Sequence, residues 1–251
     1  MKSLEQPRGR FALTNGRVVL PNEVVTGQAV VVEGDKIAGI ADVGSFGSEV
    51  ETIDAGGRLI TPGLIDLHTH GALGHTFNEP TAEAFAVITE ENARRGVTAL
   101  LATLATAPIP DLVRCLEFGR EWMDKPREGA RVLGMHLESP YISPAQKGAL
   151  DPANLRAPDD GTPDVLLGHH DVLKIVVLAP ELPGALELVA KLVKLGVVPA
   201  AGRPGCPNAR SCDRRRAVGD GPRHVAGGIG GGEREVLAPW GASRRTMNRV
   251  R

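Results

Sequence analysis

The chain has 251 residues, of which 42% are hydrophobic and 3% aromatic, and a formal net charge of −1. That is enough apolar material for a large α/β unit or a small and a medium one. The overall basic field and the stacking surface on which nucleic-acid binding draws are both missing. No run approaches the roughly eighteen apolar residues of a membrane helix and no apolar leader opens the chain, so a cytoplasmic protein with small-molecule ligands is expected.

Residues 10–60 carry short alternating or apolar runs at 16–20, 28–33 and 36–40, separated by Asn-Gly, Glu-Gly-Asp and Gly-Gly turn signals, and they read as hairpins of a small β unit. From Leu64 to about Gly202 the rhythm changes to apolar strand, helix, apolar strand, the pattern of a parallel sheet or barrel. Strands are predicted at 64–70, 97–104, 131–138, 173–179 and 197–201. Helices are predicted at 81–95, 110–124 and 184–195, where apolar residues recur at three-to-four spacing. The long connection 139–172 contains five prolines and reads as a structured loop over one end of the sheet. The expected units are therefore a small β-sandwich portion at 1–61 and a partial barrel at 62–202, followed by an irregular tail at 203–251.

That tail holds eleven arginines, no lysine, nine glycines and four acids, against 18 basic and 26 acidic residues before it. A switch of this kind marks a tail or a foreign segment, such as an out-of-frame product. The run at 227–232 follows no strand and opens no helix, so it is not read as a phosphate loop. Cys115, Cys206 and Cys212 are odd in number and lack zinc-ribbon spacing, which fits a reducing compartment and excludes a disulfide framework. Cys115 reads as a core thiol.

The chemistry concentrates in Pro62-Gly63-Leu64-Ile65-Asp66-Leu67-His68-Thr69-His70-Gly71. On a strand, side chains two apart share a face, so Asp66, His68 and His70 are expected to point inward while Ile65, Leu67 and Thr69 point outward. Imidazoles so placed suit a divalent ion, zinc above all or iron, with Asp66 able to orient a ring from behind. Val132-Leu133-Gly134-Met135-His136-Leu137-Glu138 repeats the logic at the end of another strand, where barrel enzymes place their working groups. Taken alone, His136 reads as a satisfied core histidine and Glu138 as a solvated charge; beside His68 and His70, Glu138 becomes the third ligand. His75, His169, His170 and His224 read as structural.

Pro62 to Gly71 resembles the first-strand signature of the amidohydrolase superfamily. Gly134-Met135-His136-Leu137-Glu138-Ser139-Pro140 with Gln146-Lys147-Gly148-Ala149 resembles its N-acetylglucosamine-6-phosphate deacetylase family, over about residues 10–202. The resemblance implies a (β/α)8 TIM-type barrel, here incomplete with about five strands and an open sheet. It also implies a divalent metal held by His68, His70 and Glu138, substrate contacts at Ala149 and Leu150, and a homodimer. The implied reaction is hydrolysis of the acetyl amide of an amino-sugar phosphate by metal-activated water. Leu150 stands where the family has a histidine, and Arg203-Pro204 follow Ala201-Gly202 where the family has His-Ser. No catalytic residue is therefore assigned, and the chain is expected to be truncated or altered after residue 202 and, lacking part of the site, to be inactive. The competing readings are a dihydroorotase-like or N-acyl amino acid deacylase amidohydrolase, and a non-catalytic fragment acting through its Arg-rich tail.

Overall fold

The computed structural model describes residues 9–47, 49–138 and 140–202. The Arg-rich tail lies outside these residues, together with Cys206, Cys212, His224, the glycine run at 227–232 and the Arg203-Pro204 step.

The first part of the chain is all β. It comprises β1 Arg10–Thr14, β2 Arg17–Val19, β3 Val24–Val25, β4 Gln28–Glu33, β5 Lys36–Asp42, β6 Glu51–Asp54 and β7 Leu59–Ile60. β4 and β5 form the expected hairpin, paired from Gln28↔Asp42 to Glu33↔Lys36. The chain turns through Gly34 at φ +60°, a left-handed conformation open to glycine without steric cost. Hairpins are not the whole of this unit, however. β1, which the sequence pattern does not mark, lies between β4 and β6 and pairs with β6 in parallel, from Phe11↔Glu51 to Thr14↔Asp54. β2 pairs in parallel with β7 in the same way. A parallel partner forty residues away leaves no local turn signal, which is why pattern reading stops at the hairpins. Ala12, Ala29, Val31 and Val50 form the small core of this unit.

The second part contains β8 Leu64–Thr69, β9 Gly71–Ala72, β10 His75–Thr76, α1 Ala82–Arg94, β11 Val97–Leu104, α2 Ile109–Met123, β12 Arg131–Glu138, α3 Thr162–Leu167, β13 Leu173–Leu178, α4 Ala185–Lys194 and β14 Val198–Ala201. Five strands make one parallel sheet in the order β14-β13-β12-β11-β8. Neighbours in the sheet are neighbours in the chain, with a helix in each connection, so the unit is an incomplete (β/α)8 TIM-type barrel of five strands. The five predicted strands and three predicted helices all form, with ends within a residue or so. The connection 139–172 differs from expectation because it contains α3 and two 3-10 turns, Pro144–Gln146 and Pro152–Asn154. Pro163 sits in the first turn of α3, where its missing N–H has no helical acceptor to lose, so this proline starts a helix instead of preventing one.

Helix ends follow local chemistry. Thr81 caps α1, its Oγ1 accepting the Ala84 N–H at 3.2 Å, and the chain leaves that helix through Gly96 at φ +88°. Phe85 and Ile88 of α1 and Leu112, Leu116 and Trp122 of α2 meet Leu100 and Leu104 of β11 and Met135 and Leu137 of β12 in one core. Along β12 the alternate residues, His136 and Glu138, therefore belong to the opposite face of the sheet. Packing the helices against one face leaves the other, concave face to hold the polar groups.

Candidate metal centre

β8 and β12 are not neighbours, because β11 runs between them. Side chains at their C-terminal ends nonetheless converge. His68 Nε2 lies 3.2 Å from His70 Nε2, and His70 Nε2 lies 3.1 Å from Glu138 Oε2. One ligand atom from each of His68, His70 and Glu138 lies within 4.8 Å of the others. Glu138 is buried, while the two histidines are partly exposed. These are the three residues that the sequence points to as candidate ligands, and the fold brings their side chains together.

The donor set fits a divalent ion of the zinc type. Two imidazole nitrogens and one carboxylate are among the commonest ligands of such ions, and bonds of about 2.0–2.1 Å at tetrahedral angles space ligand atoms about 3.3 Å apart. Two of the three separations, 3.1 and 3.2 Å, match that spacing, and all three atoms lie within 4.8 Å of one another. Burial pushes the His68 imidazole down to about 4, with His136 and His70 adding to the effect and Glu138 and Asp66 opposing it. At neutral pH this histidine keeps its lone pairs, as a ligand must.

The backbone around His68 is unusual. β8 has one residue more than β11 between the pairs Asp66↔Leu100 and Thr69↔Ala102, a bulge that takes Leu67 and His68 out of the ladder. Three side chains meet the main-chain groups there. His136 Nδ1 donates to the Leu67 carbonyl at 2.7 Å, Asp66 Oδ1 accepts the His68 N–H at 3.0 Å, and Thr103 Oγ1 accepts the Thr69 N–H at 3.0 Å. Asp66 thus fixes the main chain, whereas sequence reasoning expects it to orient a ring. Thr103 goes unmarked in the sequence because it reads as one more residue of an apolar strand. A threonine within such a run, on the face opposite Ala102 and Leu104, is the signal that finds it.

His136 is only half satisfied. It is 6% exposed and its ring meets that of His68 edge-on, with centroids 4.7 Å apart. Its Nε2 is buried with no hydrogen-bond partner among the described residues. Burial lowers the pKa of this imidazole, and the Leu67 carbonyl pulls the other way. The remaining described histidines have local roles. His75 Nδ1 lies 3.2 Å from Glu79 Oε2, His169 Nδ1 lies 3.3 Å from Arg120, and His170 Nδ1 lies 3.0 Å from the Leu167 carbonyl. Cys115 is a buried core thiol pushed up to about 11, mainly by desolvation. Ala149 and Leu150 lie in the turn that follows the first 3-10 helix, Ala149 exposed and Leu150 half-buried, with the Leu150 N–H donating to the Lys147 carbonyl at 3.1 Å.

A family model described as the Amidohydrolase family matches residues 59–195, more than half of the chain. N-acetylglucosamine-6-phosphate deacetylase of Haemophilus influenzae is 30% identical over 194 residues, which are 77% of this chain and 50% of that protein. N-acetylgalactosamine-6-phosphate deacetylase of Escherichia coli O157:H7 is 32% identical over 149 residues, 59% of this chain and 40% of that one. The crystal structure of N-acetylglucosamine-6-phosphate deacetylase from Pasteurella multocida superimposes with a TM-score of 0.72 at 29% identity, covering 77% of this chain and 50% of that one. The chain spans about half the length of the curated relatives it matches.

Proposed function

Because the chain belongs to the metal-dependent amidohydrolase family, we propose that residues 62–202 carry the metal-binding part of an N-acetylglucosamine-6-phosphate deacetylase, which hydrolyses the acetyl amide of an amino-sugar phosphate to acetate and the free amine. The observation that carries this reading is the convergence of His68, His70 and Glu138 on one point from two strands that share no ladder. His68 and His70 hold a divalent ion, zinc by preference, through imidazole nitrogen, and Glu138 holds it through a carboxylate oxygen. When bound, such an ion lowers the pKa of water and polarises an amide carbonyl. The buried Glu138 supplies the negative charge that offsets the cation, and the depressed His68 stays neutral at physiological pH. Ala149 and Leu150 are the proposed substrate contacts. Leu150 offers apolar packing and no hydrogen bond to a carbonyl. No general acid is assigned among the described residues. Residues 1–61 form the accompanying β portion, and residues 203–251 a tail with no assigned part in the chemistry.

The test is metal content together with acetate release. Purified protein loaded with zinc or iron is offered N-acetylglucosamine 6-phosphate and, in parallel, N-acetylgalactosamine 6-phosphate. Stoichiometric metal uptake that is lost in Glu138→Gln is the expected result, without acetate release from the chain as it stands, since no general acid is assigned among its described residues. Acetate release from either sugar by the metal-loaded chain overturns the expectation that its site is incomplete. Protein that takes up no ion ends the metal-centre assignment.

A further inference from the structure

The two halves of the donor set sit on strands that no backbone hydrogen bond joins, yet one side chain spans them. His136 stands two residues before Glu138 on β12, and the carbonyl it bonds belongs to Leu67, immediately before His68 on β8. This bond crosses the intervening β11 and ties the segment that supplies one ligand to the segment that supplies the other two. The Leu67 carbonyl is available because of the bulge, which takes it out of the β8–β11 ladder. Thr103 secures the next exposed group, the Thr69 N–H.

A carbonyl only accepts, so His136 carries its proton on Nδ1 and leaves a lone pair on Nε2. That buried lone pair has no hydrogen-bond partner among the described residues, a cost an apolar residue at this position would avoid. The ring is not part of the core beneath the helices, where Met135 and Leu137 fill the helix-facing side of β12. The bond to Leu67 is what the imidazole contributes.

We propose that His136, assisted by Thr103, is a positioning residue for the metal centre: its Nδ1–H bond to the Leu67 carbonyl holds the bulge of β8 in the shape that brings His68 and His70 to Glu138. The inference rests on the reading of these three residues as metal ligands. His136 acts through the main chain of β8 and not as a ligand. Its loss leaves all three ligands in the chain but lets the β8 segment relax toward a regular strand.

Co2+ is the probe, titrated into the full chain and followed by calorimetry and by the visible absorption of the bound ion. His136→Leu removes the donor, whereas His136→Asn places an amide N–H close to where Nδ1 stood. Removing an outer partner of a metal ligand typically weakens binding about 10–100-fold. His136→Leu is expected to fall in that range with an altered spectrum. His136→Asn is expected to bind within about threefold of the unsubstituted protein and to restore its spectrum, and Thr103→Val to weaken binding in the same direction by a smaller factor. Unchanged affinity and spectrum in His136→Leu overturn the inference. So does His136→Asn binding as weakly as His136→Leu, since the ring and not the bond would then matter. If His136→Leu does not fold, Thr103→Val decides, and Co2+ binding unchanged in it overturns the inference. Failure of the unsubstituted protein to bind Co2+ is seen before any variant is compared; it sinks the ligand assignment and the positioning role together.

Discussion

Desolvation of the His68 ring sets a pH dependence that belongs to the single residue. An imidazole in the unfolded chain takes up its proton near 6.5, and in the folded protein His68 does so only near 4. Between these values the unfolded state binds more protons, so the contribution is complete above about 6.5 and shrinks as the pH falls toward 4. The metal-free protein is therefore expected to unfold at progressively lower urea concentration as the pH drops through that window. His68→Asn is expected to flatten the dependence. A urea midpoint independent of pH between 6.5 and 4 would contradict the buried, neutral state of this ring. Bound metal deepens the effect, because protons and cation compete for the same lone pairs.

At the scale of the elements, the concave face is positioned by what packs behind it. Phe85 of α1 is fully buried and meets Phe77, Phe118 and Trp122, with ring centroids 4.8, 5.0 and 5.4 Å away. It presses α1 and α2 onto the strands whose opposite face carries Thr103, His136 and Glu138. Phe85→Ala is expected to lower the stability by about 3–5 kcal/mol, read from chemical denaturation, because an aromatic ring is lost and the cavity closes only in part. A loss below about 1 kcal/mol would mean that the helices pack independently of this cluster. The same elements show why boundaries were readable and partners less so. Thr81 marks a helix end by its side-chain hydroxyl, and Gly96, Gly184 and Gly196 by their left-handed backbone. The pairing of β1 with β6 depends on a segment forty residues away, and only the assembled sheet reveals it.

Over the whole described molecule, the parallel sheet ends at β8 and β14. Leu64, Ile65 and Leu67 on β8 are 59, 61 and 53% exposed. An unpaired edge with apolar side chains is a template for association. The elution volume in gel filtration is expected to fall as protein concentration rises, and Ile65→Lys combined with Leu67→Lys is expected to suppress the change while leaving the circular dichroism of the fold intact. A sharply melting monomer at every concentration would contradict this. A discrete dimer, as the family resemblance implies, would appear as one concentration-dependent step instead of a continuous drift.

The amino-acid sequence by itself determined the order of the five barrel strands and of three of the four helices between them, the candidate set His68, His70 and Glu138, and the incompleteness of the barrel among the residues described. All of these follow from local periods of two and 3.6 and from the length of chain that shows them. Only the tertiary structure decided that His70 and Glu138 come within 3.1 Å, that Asp66 and Thr103 bind main chain, and that His136 reaches Leu67 across 69 residues of sequence. The physical reason is register. Whether two strand ends meet, and which carbonyl a bulge releases, depends on how non-adjacent strands shift against the one between them, and that shift is fixed by packing over the whole sheet and not by any segment alone.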